Sequence, residues 1–409
     1  MTAIRACRSC GSAELVPFLD LGAQPLANAL LTASELGAAE PTYPIVVVLC
    51  RACTLVQITE TVPPEVLFRE YLYFSSFSDT MLRHARESAE RLIRERSLSR
   101  DSLVVEIASN DGYMLKNFVE AGIPVLGIEP ARNIAIVARK GGIETIDEFF
   151  SAALASGLVA SGRRADLMLA NNVMAHVPDI NDIVSGISEL LAPEGAFVME
   201  TPYVRDMIEN VEFDTMYHEH VFCHSLTALE HLFQRHGLAA ADVEWIGIHG
   251  GTIRVAAVHA GLEGDRPRVR EMLQREAEWG VGDPATYQDF GERVARLRSE
   301  LRALLERLRS EGKRVAGYGA AAKGSTLLNY MGIGREHLDY VVDRSTYKQG
   351  RYLPGNHLPV HPPERLLEDR PDHVLLLAWN LADEVMSQQA AYRTAGGKFI
   401  IPVPSVRVV

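Results

Sequence analysis

Long apolar runs are missing from this chain. No stretch approaches the roughly 20 residues that a membrane-spanning helix needs, and residues 1–5 lead straight into cysteines without an apolar signal region. A cytoplasmic protein with no membrane partner is expected. Positive charge is also in deficit: 41 Lys and Arg against 53 Asp and Glu give a formal net charge of −12. Broad nucleic-acid binding wants a positive face and is disfavoured, although a local basic pocket for a phosphorylated small molecule remains compatible. Cysteine is sparse, with five in 409 residues, and disulfides are not expected in a cytoplasmic chain. Low-complexity segments are absent, and so is any obvious sequence repeat. What remains is an ordinary globular composition, 47% hydrophobic and 23% charged. The length suits about two to four domains of ~100–200 residues.

Four of the five cysteines are paired by spacing, as Cys7-x-x-Cys10 and Cys50-x-x-Cys53. Each pair lets two sulfurs point at one metal from a tight turn, and four thiolates make a closed tetrahedral zinc site. With no open position such a zinc is structural. The segment between the pairs is long enough for a small β module, with residues 46–50 and 54–57 as a hairpin carrying the second pair. Two pairs together argue against one of them acting as a redox dithiol. Cys223 stands alone and reads as buried and inert.

Residues 103–130 run strand, small-residue turn, helix, strand, acid. A short apolar strand ends at Ala108, Ser109-Asn110-Asp111-Gly112 turn, a helix follows, and a second strand finishes at Glu129. Small residues let a backbone turn approach a ligand, and a carboxylate ending the next strand can hold ribose hydroxyls. This order suits adenosine, with Glu106, Ala108, Asn110, Gly112 and Glu129 around the cofactor and Asn171 on a later strand. A nicotinamide enzyme would favour G-x-G-x-x-G. Ala108, Asn110 and Gly112 fit the looser first motif of S-adenosylmethionine (SAM) methyltransferases better, although an ordinary α/β turn without ligand has the same shape.

The strand at 165–170 ends at Asn171-Asn172, with His176 close behind. Ligands of open α/β sheets sit beyond such strand ends, so His176 is a candidate functional residue and Asn172 a substrate contact. The densest chemistry follows at 213–225, where Tyr217, His218, Glu219, His220 and His224 crowd together. A metal would need His218, Glu219 and His220 to converge, without the helical H-E-x-x-H spacing. Acid–base catalysis needs only one of them at the reacting atom, and is preferred; a surface polar loop is the other alternative. Upstream, residues 67–78 are rich in aromatics, and Tyr71 is expected either to face a substrate cleft or simply to pack between domains.

The carboxy-terminal part begins with a long charged amphipathic helix and continues as a second α/β unit. Its first strand, near Val315, leads into Gly319-Ala320-Ala321-Ala322-Lys323-Gly324. The amides of a helix amino terminus bind phosphate, and Lys323 adds charge. The order is not that of a Walker loop, and the glycine spacing is wrong for a dinucleotide. A nucleotide diphosphate held by Lys323, Gly324, Asp343 and Asn380 is the expected ligand, with a ligand-free core unit as the alternative.

Taken together, the two CxxC pairs, VVEIASNDG, NNVMAHVPD, YHEH and GYGAAAKGS occur in the order seen in deoxysugar C-methyltransferases, and the chain resembles that family over nearly its whole length. The resemblance implies an α/β protein of three parts: a small β-rich zinc-binding module (1–66), a Rossmann-like SAM methyltransferase domain (67–262), and a second Rossmann-like α/β domain (263–409) that helps hold a dTDP-linked keto sugar. It implies SAM and structural Zn2+ as cofactors, and C-methylation of a 4-keto-deoxysugar, commonly at C-3, for a branched antibiotic sugar. C-5 methylation is the near alternative. By similarity His220 is the base, with Tyr217, Glu219, Tyr71 and His176 around the reacting sugar. A monomer or weak dimer is expected. A zinc-containing RNA methyltransferase would share these parts but should be basic, and a non-catalytic nucleotide-sugar-binding protein would keep the folds without turnover.

Overall fold

The computed structural model describes residues 4–69, 74–248 and 250–409; Tyr71 lies outside the described residues. Three sheets organise the chain. The first is antiparallel and built from Leu15–Pro25, Thr42–Cys50 and Val56–Ile58. The expected hairpin around the second cysteine pair is present, with Val47 opposite Ile58 and Leu49 opposite Val56. The fourth strand of this sheet, Phe222–Cys223, comes from far along the chain and pairs with Val56 and Gln57. It directly follows the histidine-rich segment, so that segment is sewn to the cysteine module.

The central sheet has seven strands. From one edge they are Leu238–Ile246, Thr252–His259, Leu191–Pro202, Ala165–Asn171, Val104–Ile107, Val125–Ile128 and Thr145–Ile146. Thr252–His259 runs antiparallel to both neighbours, and the pairs from Leu191–Pro202 onward are parallel. Parallel strands need crossover connections that cover both faces. Accordingly Val104, Val105 and Ile107 are all buried rather than alternating. Strand order reverses beside Val104–Ile107, and a crevice opens there beyond the carboxyl ends.

The third sheet places Val360–His361, Val341–Val342, Val315–Tyr318, His373–Leu376 and Lys398–Ile401 in parallel, with Arg407–Val408 antiparallel at the edge. Its order reverses between Val315–Tyr318 and His373–Leu376, the same arrangement as in the central sheet. The long helix Phe290–Ser310 buries Phe290, Val294, Leu297, Leu301, Leu305 and Leu308, the helical spacing seen in the sequence. Two further helices, Pro267–Trp279 and Pro284–Gln288, precede it. The three parts are tied together directly. Leu31 and Tyr352 exchange two backbone hydrogen bonds of 2.9 Å, Glu40 bonds His357 and the Gly355 amide, and Trp379 Nε1 donates to Asp214 at 2.7 Å.

Candidate active site

The cysteine cluster forms first, from two turns of the same design. Gly11 N–H closes onto Cys7 O at 2.9 Å and Thr54 N–H onto Cys50 O at 2.8 Å, with Gly11 and Thr54 both at positive φ. The four sulfurs all lie within 4.8 Å of one another, with Cys7 and Cys53 3.7 Å apart and Cys10 and Cys50 3.6 Å apart. Thiolates about 2.3 Å from a tetrahedral zinc stand ~3.8 Å from each other, so the set fits that ion. Gln57, fully buried, donates to Cys7 Sγ at 3.1 Å as an outer support. Among the described residues no other group of His, Cys, Asp and Glu comes together for a metal. The metal alternative for His218, Glu219 and His220 therefore gains nothing. Cys223 is buried, and burial pushes its thiol up to about 12, which agrees with an inert role.

At the crevice of the central sheet the turn 108–112 holds Ala108, Asn110 and Gly112 at φ 51°, 50° and 81°. Two non-glycine residues in the left-handed region store strain, a feature that clusters at ligand clamps. A Cβ on Gly112 would meet Ile143 Cγ1 at 2.8 Å. Glu129 closes the turn: its Oε2 accepts from Asn110 N–H and its Oε1 from Ala131 N–H, each at 2.8 Å. Burial nevertheless pushes this carboxyl up to about 7. Glu106 is pushed well above the usual range, first by burial and then by Glu129, Asp111 and Glu200 nearby. Its Oε2, like Oδ1 of Asp111, is buried without a hydrogen-bond partner among the described residues. A buried carboxyl raised by burial and by acidic neighbours is stabilised in its charged form by a nearby cation, which fits the cationic SAM. Asn171 ends the adjoining strand, paired with Glu200, and Asn172 at φ 57° donates its N–H to Glu200 O at 2.8 Å.

Arg254 is buried in an ion pair. Its Nη2 lies 2.6 Å from Glu200, and His84 Nε2 lies 2.9 Å from the same carboxylate. Burial would raise Glu200, but His84 and Arg254 hold it below its ordinary value.

Beyond the strand ends, His176 and the 217–220 segment meet. Val221 N–H bonds Ala175 O at 2.8 Å and staples the two loops. The imidazoles of His176 and His220 then stand 4.7 Å apart at 72°. His220 Nδ1 is 2.6 Å from Thr215 O. A carbonyl oxygen only accepts, so Nδ1 carries the hydrogen and Nε2 keeps its lone pair in the neutral ring. That Nε2 lies 3.1 Å from the Tyr217 hydroxyl. His176 is pushed down to about 4 by burial, despite nearby backbone carbonyls, and is neutral near pH 7. Glu219 is 3% exposed and accepts from Asn28 Nδ2 at 2.7 Å. His218 turns the other way and reaches Tyr43 O at 3.0 Å. The structure thus brings His220, Tyr217 and His176 together, with Glu219 in the same segment.

The crevice of the third sheet repeats the first in detail. Asp343 Oδ2 accepts from Ala320 N–H at 2.7 Å and Oδ1 from Ser345 N–H at 2.8 Å. In both units the acid takes the turn amide after the first strand and the amide two residues onward. Lys323 places its ammonium 4.5 Å from the Trp379 ring centroid, in the field of Asp214 and Glu212. Its charge is therefore shared with two carboxylates of the central domain, which sequence alone did not suggest. Gly324 has a packing reason: a Cβ there would meet Leu377 Cβ at 2.7 Å. Asn380 is half-buried in the short turn after the His373–Leu376 strand. Asn28, His84 and Glu200 were missed from sequence because no motif flanks them and their contacts, Asn28 with Glu219 and His84 with Glu200, span 191 and 116 positions. Thr215, inside the histidine-rich segment, was missed because it acts through its backbone carbonyl.

Three family models match this chain: a zinc binding domain over residues 7–68, a methyltransferase domain over 81–243, and a C-methyltransferase C-terminal domain over 247–404. The C-methyltransferase NovU of Streptomyces niveus is 38% identical over 407 residues, covering 99% of this chain and 97% of that relative. Two solved structures overlap the chain more loosely. Magnesium protoporphyrin IX methyltransferase of Synechocystis PCC 6803 with bound SAM has 13% identity, a TM-score of 0.34, and covers 44% of this chain and 79% of that one. The CcbJ methyltransferase of Streptomyces caelestis has 14% identity, a TM-score of 0.34, and covers 43% and 90%.

Proposed function

This chain belongs to the C-methyltransferase family and is a SAM-dependent enzyme with a zinc-binding module, and on that basis we propose that it methylates a carbon of a nucleotide-linked keto-deoxysugar. The substrate is a dTDP-linked 4-keto sugar methylated at C-3, on the way to a branched antibiotic sugar. Carbon is a poor nucleophile until a neighbouring carbonyl acidifies its C–H. Removal of that proton is the work of His220, whose Nε2 holds a lone pair because Thr215 O takes the Nδ1 hydrogen. Neutral His176 and the Tyr217 hydroxyl, whose O–H otherwise donates to His220 Nε2, are the donors we assign to the developing enolate oxygen, whose charge they stabilise. Glu219 orients this set or holds a sugar hydroxyl, and Tyr71 belongs to the same group by family resemblance. Glu106, Ala108, Asn110, Gly112, Glu129 and Asn171 hold SAM, which supplies an electrophilic methyl group when bound.

Asn172, Lys323, Gly324, Asp343 and Asn380 form the proposed side of the nucleotide. The support is the match between Asp343 and Glu129 in their hydrogen bonds to the two turns. The single observation that carries the catalytic proposal is the Thr215–His220–Tyr217 chain of contacts.

Incubation with methyl-labelled SAM and a panel of dTDP-keto sugars tests this reading. The expected product carries label on a ring carbon next to the carbonyl, located by carbon NMR. Label on oxygen or nitrogen, or on RNA instead of any sugar, would overturn it.

A further inference from the structure

Asn28 belongs to the cysteine module by sequence, yet its side chain ends at the reaction cluster. It follows the Leu15–Pro25 strand in a short turn closed by Ala29 N–H to Leu26 O at 3.1 Å and Leu30 N–H to Asn28 O at 2.9 Å. Ala27 and Leu30 on either side are buried and anchor the turn. Immediately beyond, Leu31 pairs with Tyr352 of the third domain. The turn is therefore clamped between the metal module and the carboxy-terminal domain, and from it Asn28 Nδ2 donates to Glu219 Oε1 at 2.7 Å.

Glu219 is 3% exposed, so its carboxylate has little water to satisfy it. Buried carboxylates require donors, and a neutral amide supplies one without the competing charge of an ion pair. Glu219 also lies between His218, held by Tyr43 O of the same module, and His220. We propose that Asn28 is a positioning residue: its amide orients the Glu219 carboxylate and makes the metal module one wall of the reaction site. The metal module then acts on catalysis through a defined hydrogen bond and not only through stability. This rests on the reading of the 217–220 segment as the catalytic cluster.

The test compares Asn28→Ala with Asn28→Asp in the full-length, zinc-loaded enzyme. Asn28→Asp keeps the shape but sets a second carboxylate against Glu219. Expected are unchanged zinc content and SAM affinity in both, with kcat for methyl transfer down about 10- to 100-fold in Asn28→Ala. Asn28→Asp falls further, and recovers relative to the wild type as pH is lowered, because a protonated aspartate donates as the amide did. A packing role alone would reverse the ranking, since aspartate is the closer shape. Asn28→Asp matching or exceeding Asn28→Ala overturns the inference, as does wild-type kcat in both or zinc loss from both. A wild-type enzyme that transfers no methyl group to carbon would instead sink the functional reading beneath it.

Discussion

The Nδ1 atom of His220 lies 2.6 Å from the carbonyl oxygen of Thr215, five residues earlier in the same segment. One backbone acceptor thereby decides which nitrogen of the ring carries hydrogen, and the opposite nitrogen, beside the Tyr217 hydroxyl, keeps the lone pair that the proposed base needs.

Replacing His220 by Asn should leave SAM affinity intact and abolish solvent exchange at the sugar's reactive carbon. Loss of a general base of this kind typically costs about 10²- to 10⁴-fold. Deuterium incorporation followed by proton NMR, without SAM, reads this step alone. Wild-type exchange in the variant would remove His220 from the role.

If Glu129 holds SAM as proposed, SAM binding should depend on pH. Its carboxyl is raised to about 7 by burial, so it is largely protonated at lower pH and ionised above that value. A cation and ribose hydroxyls both favour the ionised form, so SAM should bind more tightly as pH rises through about 7. The stability sign is opposite. A carboxyl raised in the folded state contributes stability below its unfolded pKa of 4.5, and that stability is lost as pH rises through about 7. Calorimetric titration and cofactor-free thermal melts across this window should show the two trends, and Glu129→Gln should flatten both.

Arg254 stabilises Glu200 at the heart of the central sheet, with side chains 8% and 1% exposed. Arg254→Met leaves the buried Glu200 carboxylate with His84 as its remaining ion-pair partner among the described residues. Breaking a buried pair from one side typically costs about 3–5 kcal/mol. Denaturant unfolding should show that loss, and Arg254→Met with Glu200→Gln should recover part of it. A single variant of wild-type stability would show that the pair contributes little.

Metal removal should act beyond the cysteines. The module's sheet includes Phe222–Cys223, two residues past His220. Cys50→Ser, or treatment with a strong chelator, should lower zinc below one equivalent and lower the melting temperature. It should also suppress solvent exchange at the sugar carbon. SAM affinity should change far less, because the 108–112 turn is supported by Glu129 and Ile143 instead. Elemental analysis alongside calorimetry and exchange separates these effects.

Much of this protein was legible in order along the chain. The cysteine spacing, the strand–turn–helix–acid run to Glu129, the buried strands near 165 and 315, and the amphipathic helix at 290–310 depend on neighbours within a few residues. Local chemistry and hydrophobic period are sufficient for such elements. Parallel strands flanked by helices also constrained the sheet order, because crossovers have few compact solutions.

Only the tertiary structure decided what surrounds the imidazole of His220. Asn28 reaches Glu219 across 191 positions and Trp379 reaches Asp214 across 165. The Phe222–Cys223 strand crosses from one domain's chain into another's sheet. Such contacts leave no local period, since they arise from how separate elements pack after each has formed. The sequence determined which polar and titratable groups were available; packing determined which of them stand together, and which ring nitrogen of His220 carries the hydrogen.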